Sequence, residues 1–584
     1  MALTAADVLI EDIMDWGVDT IFGLPGDGIN GILEALRKRR DQIRFIQVRH
    51  EEAAAFMATA YAKYTGKLGC CLATSGPGAI HLLNGLYDAK MDSMPVLAIT
   101  GMTYHDLIGT HYQQDVNTQA LFEDVAVFDE RIMGPAHVSN VAHLACRTAL
   151  SMRGVAHITF PTDLQEKEFD GLRSKQNIPR HTSASFQPAR RAAKPEAVRA
   201  AAEVLNKGKK VVILVGQGAL GAGDEVEELA EKLGAPVVTA LLGLAVLPSS
   251  SPYRTGPLGL IGTLPSEKAM EECDTIVMIG TSFPYIGFLP KPGQARGVQI
   301  DINPDRIGLR YPVEVGLVGD SQLTLRALLP LVNRNSDRGF LETAQKRLQR
   351  WQETMDDRGY QDVEPIKPQV VARMISDMAE PNAIISTDSG TCATWIARQL
   401  HVKRDQKFAL SGNLATMACG LPYSIAAKLA YPDRQSIAFV GDGAFTMLMG
   451  EMATAVKYNL PIVVVILKNN VLGQIKWEQM VFLGNPEYGV ELHPIDFAKY
   501  AEAVGAAGFT VEKPEDLKPQ LERAMAAGKP AVVQVLVDPN EPPMPAQITS
   551  EQAIHFAESL VRGQPNRERI AITAFRDKIY EFTH

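Results

Sequence analysis

Polar side chains with the chemistry of a metal site follow two apolar segments of the chain. In GDGAFTMLMGEMATAVKYNLPIVVVILKNN (441–470), Asp442 follows the run SIAFV, and Asn469 and Asn470 follow PIVVVIL. A strand–helix–strand unit has a right-handed crossover, so both strand ends open at one edge of a parallel sheet. Carboxylate and amide oxygens suit Mg²⁺, and the N-terminus of the intervening helix favours a phosphate. The pair of segments predicts such a site, although GDG alone would indicate only a turn.

Several other segments contain residues that could bind a ligand or take part in catalysis, but each of them alone also has a purely structural interpretation. Glycine-rich stretches follow apolar runs at GQGALGAG (216–223), PLGLIG (257–262), GTSFPY (280–285), DINPDRIG (301–308) and VGD (318–320). Glycines after strands can simply form turns, and a lone GxGxxG-like pattern is weak evidence for a nucleotide. The role of Glu51 and Glu52 in VRHEEAAAF is also undecided at this point, because glutamates in a first helical turn ordinarily complement the helix dipole.

The elements that must position these residues alternate along the whole chain. Short β-branched runs precede longer helical patterns, as in IRFIQV followed by EEAAAFMATAYAKY and KLGCCLAT. This alternation predicts an α/β fold of doubly wound parallel sheets. A chain of 584 residues is too long for one core. Polar segments at 170–198 and 343–368 favour boundaries, so we predict domains at 1–180, 190–340 and 360–542, and a helical tail at 543–584.

Composition excludes several classes of protein. The net charge of -9 argues against a nucleic-acid partner, which requires clustered Lys and Arg. The 6 cysteines include no CxxC pattern and fit a reducing compartment. The N-terminus is acidic where a signal peptide would be basic, and no apolar run reaches the roughly 18 residues of a membrane span. We expect a cytoplasmic protein.

The segment at 441–470 resembles the signature of thiamine diphosphate enzymes, a GDG followed at fixed distance by NN whose second Asn binds the metal. In that family the two ligands lie 27 positions apart, which selects Asn469 and puts Lys468 in the place of the usual first Asn. KNNVLGQ aligns with the NNSVLGF typical of the bacterial pyruvate oxidase branch. The resemblance implies Mg²⁺ bound by Asp442, Asn469 and the carbonyl of Val471. Lys468 could face outward or place its charge behind the metal ligands, and we favour the outward orientation, since Lys is rarely fully buried.

Further segments are similar to the thiamine-binding loops of that family, in the correct order. The family's RHE motif selects Glu51 as the acid that hydrogen-bonds to N1′ of the aminopyrimidine. In SGNLATMACGLP, Met417 would support the two rings and the carbonyl of Ala415 would accept from the 4′-amino group. Taken alone, such a Met is more often core filler. The other implied thiamine-binding residues are Gly26, Gly390, Thr391, Gly441, Gly443 and Ala444.

The glycine-rich stretches of the middle domain, taken together, resemble the FAD-binding domain of pyruvate oxidases and pyruvate:quinone dehydrogenases. The FAD-lining residues implied are Gly216, Gln217, Gly218, Gly259, Leu260, Ile261, Thr281, Phe283, Tyr285, Asp301, Ile302 and Asp320. The resemblance covers about residues 1–565. It implies oxidative decarboxylation of a 2-oxo acid, with pyruvate as the first candidate, and electron transfer to FAD and then to quinone or oxygen.

Alternatives stay open at this point. A non-redox carboligase resembling acetolactate synthase, with structural FAD, is the second hypothesis, and a catalytically silent nucleotide-binding protein is the third. Gln113 stands where the family often has Phe near the reacting carbon, and Glu478 matches a position near the substrate. An exposed helix acid is the competing interpretation of Glu478.

The resemblance also carries expectations about assembly. Active sites of the family lie between two subunits, which implies a homodimer or homotetramer. The tail RIAITAFRDKIYEFTH places Ile572, Phe575, Ile579 and Phe582 at helical spacing. Such a tail could contact the inner face of a membrane peripherally, or dock on its own protein, because its polar face carries both signs of charge.

Overall fold

The computed structural model describes residues 3–188 and 190–574. Three six-stranded sheets, each entirely parallel, follow one another along the chain. Buried apolar clusters cover both faces of the sheets, which is why strands such as VVILV read as unbroken apolar runs. The predicted α/β class is therefore confirmed. The exact domain boundaries stay a prediction.

The first sheet lies within residues 20–161. Its strands are β1 Thr20–Gly23, β2 Arg44–Gln47, β3 Gly69–Ala73, β4 Val96–Met102, β5 Ala126–Arg131 and β6 Val155–Pro161, in the order β2-β1-β3-β4-β6-β5. Its helices are α1 Ala5–Asp15, α2 Asn30–Lys38, α3 Glu51–Thr65, α4 Pro77–His81, α5 Leu83–Met91, α6 Thr118–Phe122, α7 Val138–Met152 and α8 Thr162–Gln165. Thr4 and Asp7 form a reciprocal capping box that begins α1.

The middle sheet lies within residues 211–318. Its strands are β7 Val211–Val215, β8 Val237–Thr239, β9 Arg254–Pro257, β10 Thr275–Ile279, β11 Arg296–Asp301 and β12 Val315–Val318, in the order β12-β11-β10-β7-β8-β9. The accompanying helices are α9 Pro195–Lys207, α10 Gly223–Leu233, α11 Leu264–Glu272, α12 Ser321–Leu328 and α13 Gly339–Gly359.

The third sheet lies within residues 384–536. Its strands are β13 Ile384–Thr387, β14 Lys407–Ala409, β15 Ser436–Gly441, β16 Val463–Lys468, β17 Ala507–Val511 and β18 Ala531–Leu536, in the order β14-β13-β15-β16-β18-β17. Its helices are α14 Pro368–Met378, α15 Thr391–Gln399, α16 Gly420–Ala430, α17 Asp442–Leu448, α18 Glu451–Lys457, α19 Gly473–Val481, α20 Phe497–Ala503 and α21 Pro514–Met525.

The first and third domains share one hydrophobic core. Side chains of α3 and α16, such as Phe56 and Tyr423, are fully buried in the same apolar cluster. The carboxyl ends of the sheets in the two domains are thereby held in a fixed relation within one chain.

The tail begins with helix α22, Ser550–Val561. Phe556 and Leu560 of α22, and Ile570 beyond it, pack against the apolar face of α19 around Trp477 and Met480. The described part of the tail therefore docks on its own protein. Ile572 is exposed, whereas Phe575, Ile579 and Phe582 lie outside the described residues, so the membrane alternative stays a prediction.

Candidate active site

One large cavity opens between the middle and third domains. Its volume is about 1360 Å³, above the roughly 300–1,000 Å³ of a typical ligand pocket. The carboxyl ends of β15 and β16 line one half, and those of β7, β10 and β11 line the other. The cavity therefore lies where doubly wound folds place their ligands and has room for more than one.

The residues predicted to bind the metal lie together at the ends of two paired strands. Gly441 is in register with Leu467, which brings Asp442 beside the residues that follow β16. Asp442 Oδ2 accepts from the amide nitrogens of Asn469 at 3.0 Å and Asn470 at 2.6 Å. Burial raises the pKa of the Asp442 carboxyl, and these backbone amides oppose that rise.

The two asparagines take different positions. Asn469 and Val471 line the cavity with Asp442, whereas Asn470 is not among the lining residues. Asn470 instead adopts a left-handed backbone at φ 56°, which Asn tolerates better than most residues. A buried carboxylate, an amide oxygen and a nearby carbonyl form a donor set that fits Mg²⁺, and the geometry favours Asn469 as the amide ligand.

Lys468 points away from this donor set. Its ammonium lies 3.5 Å from Gln534 Oε1 and 5.9 Å from the ring centroid of Phe497, and the residue does not line the cavity. The side chain is half-buried rather than fully solvated. Lys468 is therefore placed as a neighbour of the metal site, not as a ligand.

The other residues predicted to contact the diphosphate lie at the starts of two helices. Gly390, at φ 119°, and Thr391 begin α15, and Gly441, Gly443 and Ala444 begin α17; all of them line the cavity. Sequence reasoning missed Asp388, which is buried and accepts from the amide of Gly420 at 2.7 Å. Burial raises the pKa of Asp388 to about 6.

The loop 411–418 crosses the cavity between its two halves. Ala415 and Met417 line the cavity as predicted. Ala415 and Ala418 have φ values of 55° and 75°, which are strained for residues with a Cβ. Met417 Cε lies 3.7 Å from the Cβ position of Gly443, so the thioether projects toward the diphosphate side.

Glu51 lies outside the cavity of its own chain. Its carboxyl is buried at the start of α3, and Oε2 lies 3.0 Å from His81 Nδ1. His81 in turn stacks on His50, with ring centroids 4.5 Å apart. The backbone before Glu51 is fixed from the third domain, because Glu451 Oε1 accepts from the amides of Arg49 and His50 at 2.9 and 3.1 Å.

Two other predicted residues of the first domain accompany Glu51. Gly26 and Gln113 do not line the cavity, and Gln113 is exposed. A Cβ at Gly26 would lie 2.5 Å from Thr74 Cβ, so this glycine permits close packing of two loops. Gln114, which sequence reasoning did not single out, is the neighbour that contacts Ser75 and leaves no room for a side chain at Gly76. A single chain therefore does not bring the first-domain residues to the metal site.

The middle-domain half gathers nearly all of its predicted residues. The lining includes Gly216, Gln217, Gly218, Leu260, Ile261, Thr281, Phe283, Tyr285, Asp301, Ile302 and Asp320. Gly259 is the exception, since its Cβ position faces Phe283 at 3.3 Å. Sequence reasoning missed Arg153 of the first domain, an exposed residue that lines the same half.

Glu478 of α19 lines the cavity beside the metal site. It is half-buried, and its Oε1 accepts from Gln474 Nε2 at 3.1 Å. The tail packs on the other face of α19, so the helix is held between the cavity and the tail.

Comparison with known proteins identifies the family. Three domain profiles match in chain order: "Thiamine pyrophosphate enzyme, N-terminal TPP binding domain" over residues 3–121, the "central domain" over 198–328 and the "C-terminal TPP binding domain" over 388–535. The chain belongs to the thiamine pyrophosphate (thiamine diphosphate) enzyme family, as its sequence predicts.

Several curated relatives cover almost the full chain. It is 43% identical to YdaP of Bacillus subtilis, over 96% of each chain. It is 32% identical to a pyruvate oxidase of Lactiplantibacillus plantarum, over 93% of this chain and 90% of the relative. It is 30% identical to an acetolactate synthase of Mycobacterium bovis, over 96% of this chain and 92% of the relative. The family performs thiamine-dependent chemistry on 2-oxo acids, and its redox and non-redox members are both represented.

The described residues contain no helix that is both long and apolar enough to span a bilayer.

Proposed function

We propose that the protein oxidatively decarboxylates a 2-oxo acid, with pyruvate as the first candidate. Thiamine diphosphate supplies the nucleophilic carbon and electron sink, and FAD accepts two electrons that pass on to quinone or oxygen. In the net reaction the 2-oxo acid loses CO₂, water becomes part of the carboxylic acid product, and the acceptor takes up two electrons and two protons.

The observation that carries the proposal is the continuity of the cavity. The metal and diphosphate residues share one cavity with eleven of the twelve residues proposed to hold FAD. A flavin in the middle-domain half would share one cavity with the reacting carbon, and residues of loop 411–418 and Leu242 line that cavity as well. Relatedness to a pyruvate oxidase over most of both chains supports the same conclusion.

Each candidate site residue of the third domain has a role in the proposed reaction. Asp442, Asn469 and the Val471 carbonyl would hold Mg²⁺, which neutralises the diphosphate. The N-terminal amides of α15 and α17 would bind the phosphate oxygens at Gly390, Thr391, Gly443 and Ala444. Met417 would hold the cofactor bent, and the Ala415 carbonyl would accept from the 4′-amino group. Glu478 lies on the cavity wall where it can hold a proton near the substrate.

A second copy of the chain would complete the site. Glu51, Gly26 and Gln113 lie outside the cavity of their own chain, and the proposed chemistry requires Glu51 to share a proton with N1′ of the aminopyrimidine. We therefore propose a homodimer, or a homotetramer built from it, in which the first domain of one copy faces the third domain of the other. Gln113, exposed in the single chain, would then face the substrate.

The competing function is a carboligase with a structural flavin, which the similarity to acetolactate synthase favours. Anaerobic mixing of the holoprotein with pyruvate separates the two. An oxidase bleaches the flavin absorbance near 450 nm at the rate of CO₂ release, and the colour returns on adding oxygen or a quinone. A flavin that stays oxidised while acetolactate or acetoin accumulates overturns the redox proposal and supports the alternative.

A further inference from the structure

Asp92, the residue after α5, contacts all three domains at the junction between the two halves of the cavity. Its side chain is fully buried and does not line the cavity itself. Oδ2 accepts from the amide of Gly412 at 2.9 Å, and Oδ1 accepts from the amide of Asn413 at 2.9 Å and from Asn413 Nδ2 at 3.0 Å. The carboxylate therefore fixes the beginning of loop 411–418 from another domain.

A buried cation holds the carboxylate in its charged form. Lys63 Nζ lies 2.7 Å from Asp92 Oδ2 and 3.3 Å from Asp88 Oδ1, and it also donates to the carbonyl of Leu410 at 2.9 Å and the hydroxyl of Tyr423 at 2.6 Å. Burial alone would raise the pKa of Asp92, but Lys63 and the amides of Gly412 and Asn413 bring it below its ordinary value. Charge-assisted bonds of this kind are stronger than neutral ones.

The loop that Asp92 anchors is strained. Ala415 and Ala418 occupy left-handed backbone conformations at φ 55° and 75°, where a Cβ is unfavourable. Such a conformation persists only when its surroundings hold it in place. Asp92 holds the first part of the loop, and Asn84 Nδ2 donates to Thr416 Oγ1 at 3.2 Å in the later part.

Asp92 also contacts the middle domain. Gln217, on the wall of the middle-domain half, donates through Nε2 to the backbone carbonyl of Asp92 at 2.7 Å. Gly412 packs so closely on Leu242 of the middle domain that a Cβ there would overlap it. The middle domain therefore contacts the loop at Gly412 through Leu242, and it reaches the loop through Asp92 by way of Gln217.

We propose that Asp92 is a positioning residue that keeps loop 411–418 in its strained, thiamine-binding shape and makes the two halves of the cavity bind their ligands cooperatively. The inference rests on the proposed occupancy of the halves by thiamine diphosphate and FAD. A ligand that orders Gln217 stabilises the backbone of Asp92, and through its carboxylate the loop that the other ligand needs. By thermodynamic linkage, bound thiamine diphosphate increases the affinity for FAD by the same factor.

The test is calorimetric titration of the full-length protein, stripped of cofactors, with thiamine diphosphate and Mg²⁺, with and without saturating FAD. For the wild type we expect saturating FAD to increase the affinity for thiamine diphosphate by about fivefold or more. Asp92→Asn, which removes the charge but keeps an oxygen, should weaken thiamine diphosphate by about tenfold or more even without FAD. Gln217→Leu, titrated at an FAD concentration shown to saturate this variant, should lose the tightening of thiamine diphosphate binding by FAD.

The matched control is Asp124→Asn, which removes an exposed carboxylate that pairs with Lys90 at 2.8 Å and should change neither affinity nor coupling. Equal thiamine diphosphate affinity in Asp92→Asn and the wild type, or unchanged coupling in Gln217→Leu, overturns the inference. Gln217→Leu leaves the buried ion cluster intact, so it decides the coupling even if Asp92→Asn does not fold. A wild type that binds no FAD contradicts the proposed function, a result distinct from binding without coupling.

Discussion

The main-chain amide of Asn469 donates to Oδ2 of Asp442 at 3.0 Å, and this bond joins the carboxyl ends of β15 and β16 across 27 residues of sequence. The Asn469 side chain is positioned in turn, because its Oδ1 accepts from the amide of Val471 at 3.1 Å. The three residues proposed as metal ligands are thus connected by hydrogen bonds, and Asn469 as the amide ligand stays a prediction that the following experiment tests.

Replacing each asparagine separately tests that identity. We expect Asn469→Ala to weaken the Mg²⁺-dependent binding of thiamine diphosphate by about tenfold or more, because one of few hard oxygen ligands is lost. Asn470→Gly is the matched control, since glycine accepts the left-handed backbone at this position and binding should change by less than about threefold. Titration of Mg²⁺ against activity measures both. A larger loss in the Asn470 variant would reassign the ligand.

Glu51→Gln should reduce turnover by about 10²- to 10⁴-fold, the usual range for a lost proton-transfer group, whereas thiamine diphosphate should still bind. Glu52→Gln is the control, because its side chain accepts from Asn84 Nδ2 at 2.6 Å and an amide oxygen can do the same. Steady-state rates with pyruvate and cofactor titrations separate the two effects. Normal turnover of Glu51→Gln would remove this residue from the mechanism.

Mixing two inactive variants tests whether the site is shared between copies. Unfolded Glu51→Gln and Asn469→Ala chains, refolded together, should recover up to about a quarter of wild-type activity, because half of the dimers are hybrids with one intact site. Each variant refolded alone is the control. If the mixture stays as inactive as its components, Glu51 and Asn469 act within one chain and the proposed dimer geometry is wrong.

Two glycines of the middle domain differ in the room around them. A Cβ at Gly218 would lie 2.7 Å from Gly280 Cα, whereas nothing lies within 4 Å of the Cβ position of Gly221. We expect Gly218→Ala to push apart two loops of the cavity and weaken FAD by about tenfold or more. Gly221→Ala should retain FAD. The two variants are compared by their flavin content after purification and by fluorescence titration with FAD. Wild-type FAD binding in Gly218→Ala would argue against FAD at this wall of the cavity.

The buried Asp88 predicts a pH dependence of stability. Burial raises its pKa from 3.8 to about 6, so the folded state keeps a proton that the unfolded chain loses at lower pH. The contribution of Asp88 to unfolding free energy therefore falls as pH rises from about 4 to about 6. The stability of the wild type minus that of Asp88→Asn, measured by urea midpoints, should decrease across this window. A constant or increasing difference would show that Asp88 is already charged at pH 4.

The sequence by itself determined the fold class and the family. The alternation of short β-branched runs with helical patterns predicts parallel sheets covered by helices. Polar residues follow several of these runs, and a doubly wound fold brings such strand ends to one edge of the sheet. The spacing from Asp442 to Asn469 is a local property of one strand–helix–strand unit, so the sequence could predict which of the two asparagines lines the cavity. The glycines of the middle domain could likewise be named, because each follows a strand.

Only the tertiary structure decided how these units meet. Asp92 matches no motif in the sequence, yet it contacts Gly412 and Gln217 because segments of three domains meet there. Arg153 of the first domain lines the same cavity, which its position in the sequence does not indicate. The structure also places Glu51 outside the cavity of its own chain, against His81, although sequence order lists it with the other thiamine-binding residues. Local patterns set strands, helices and their ends, whereas contacts between distant segments depend on the packing of whole domains.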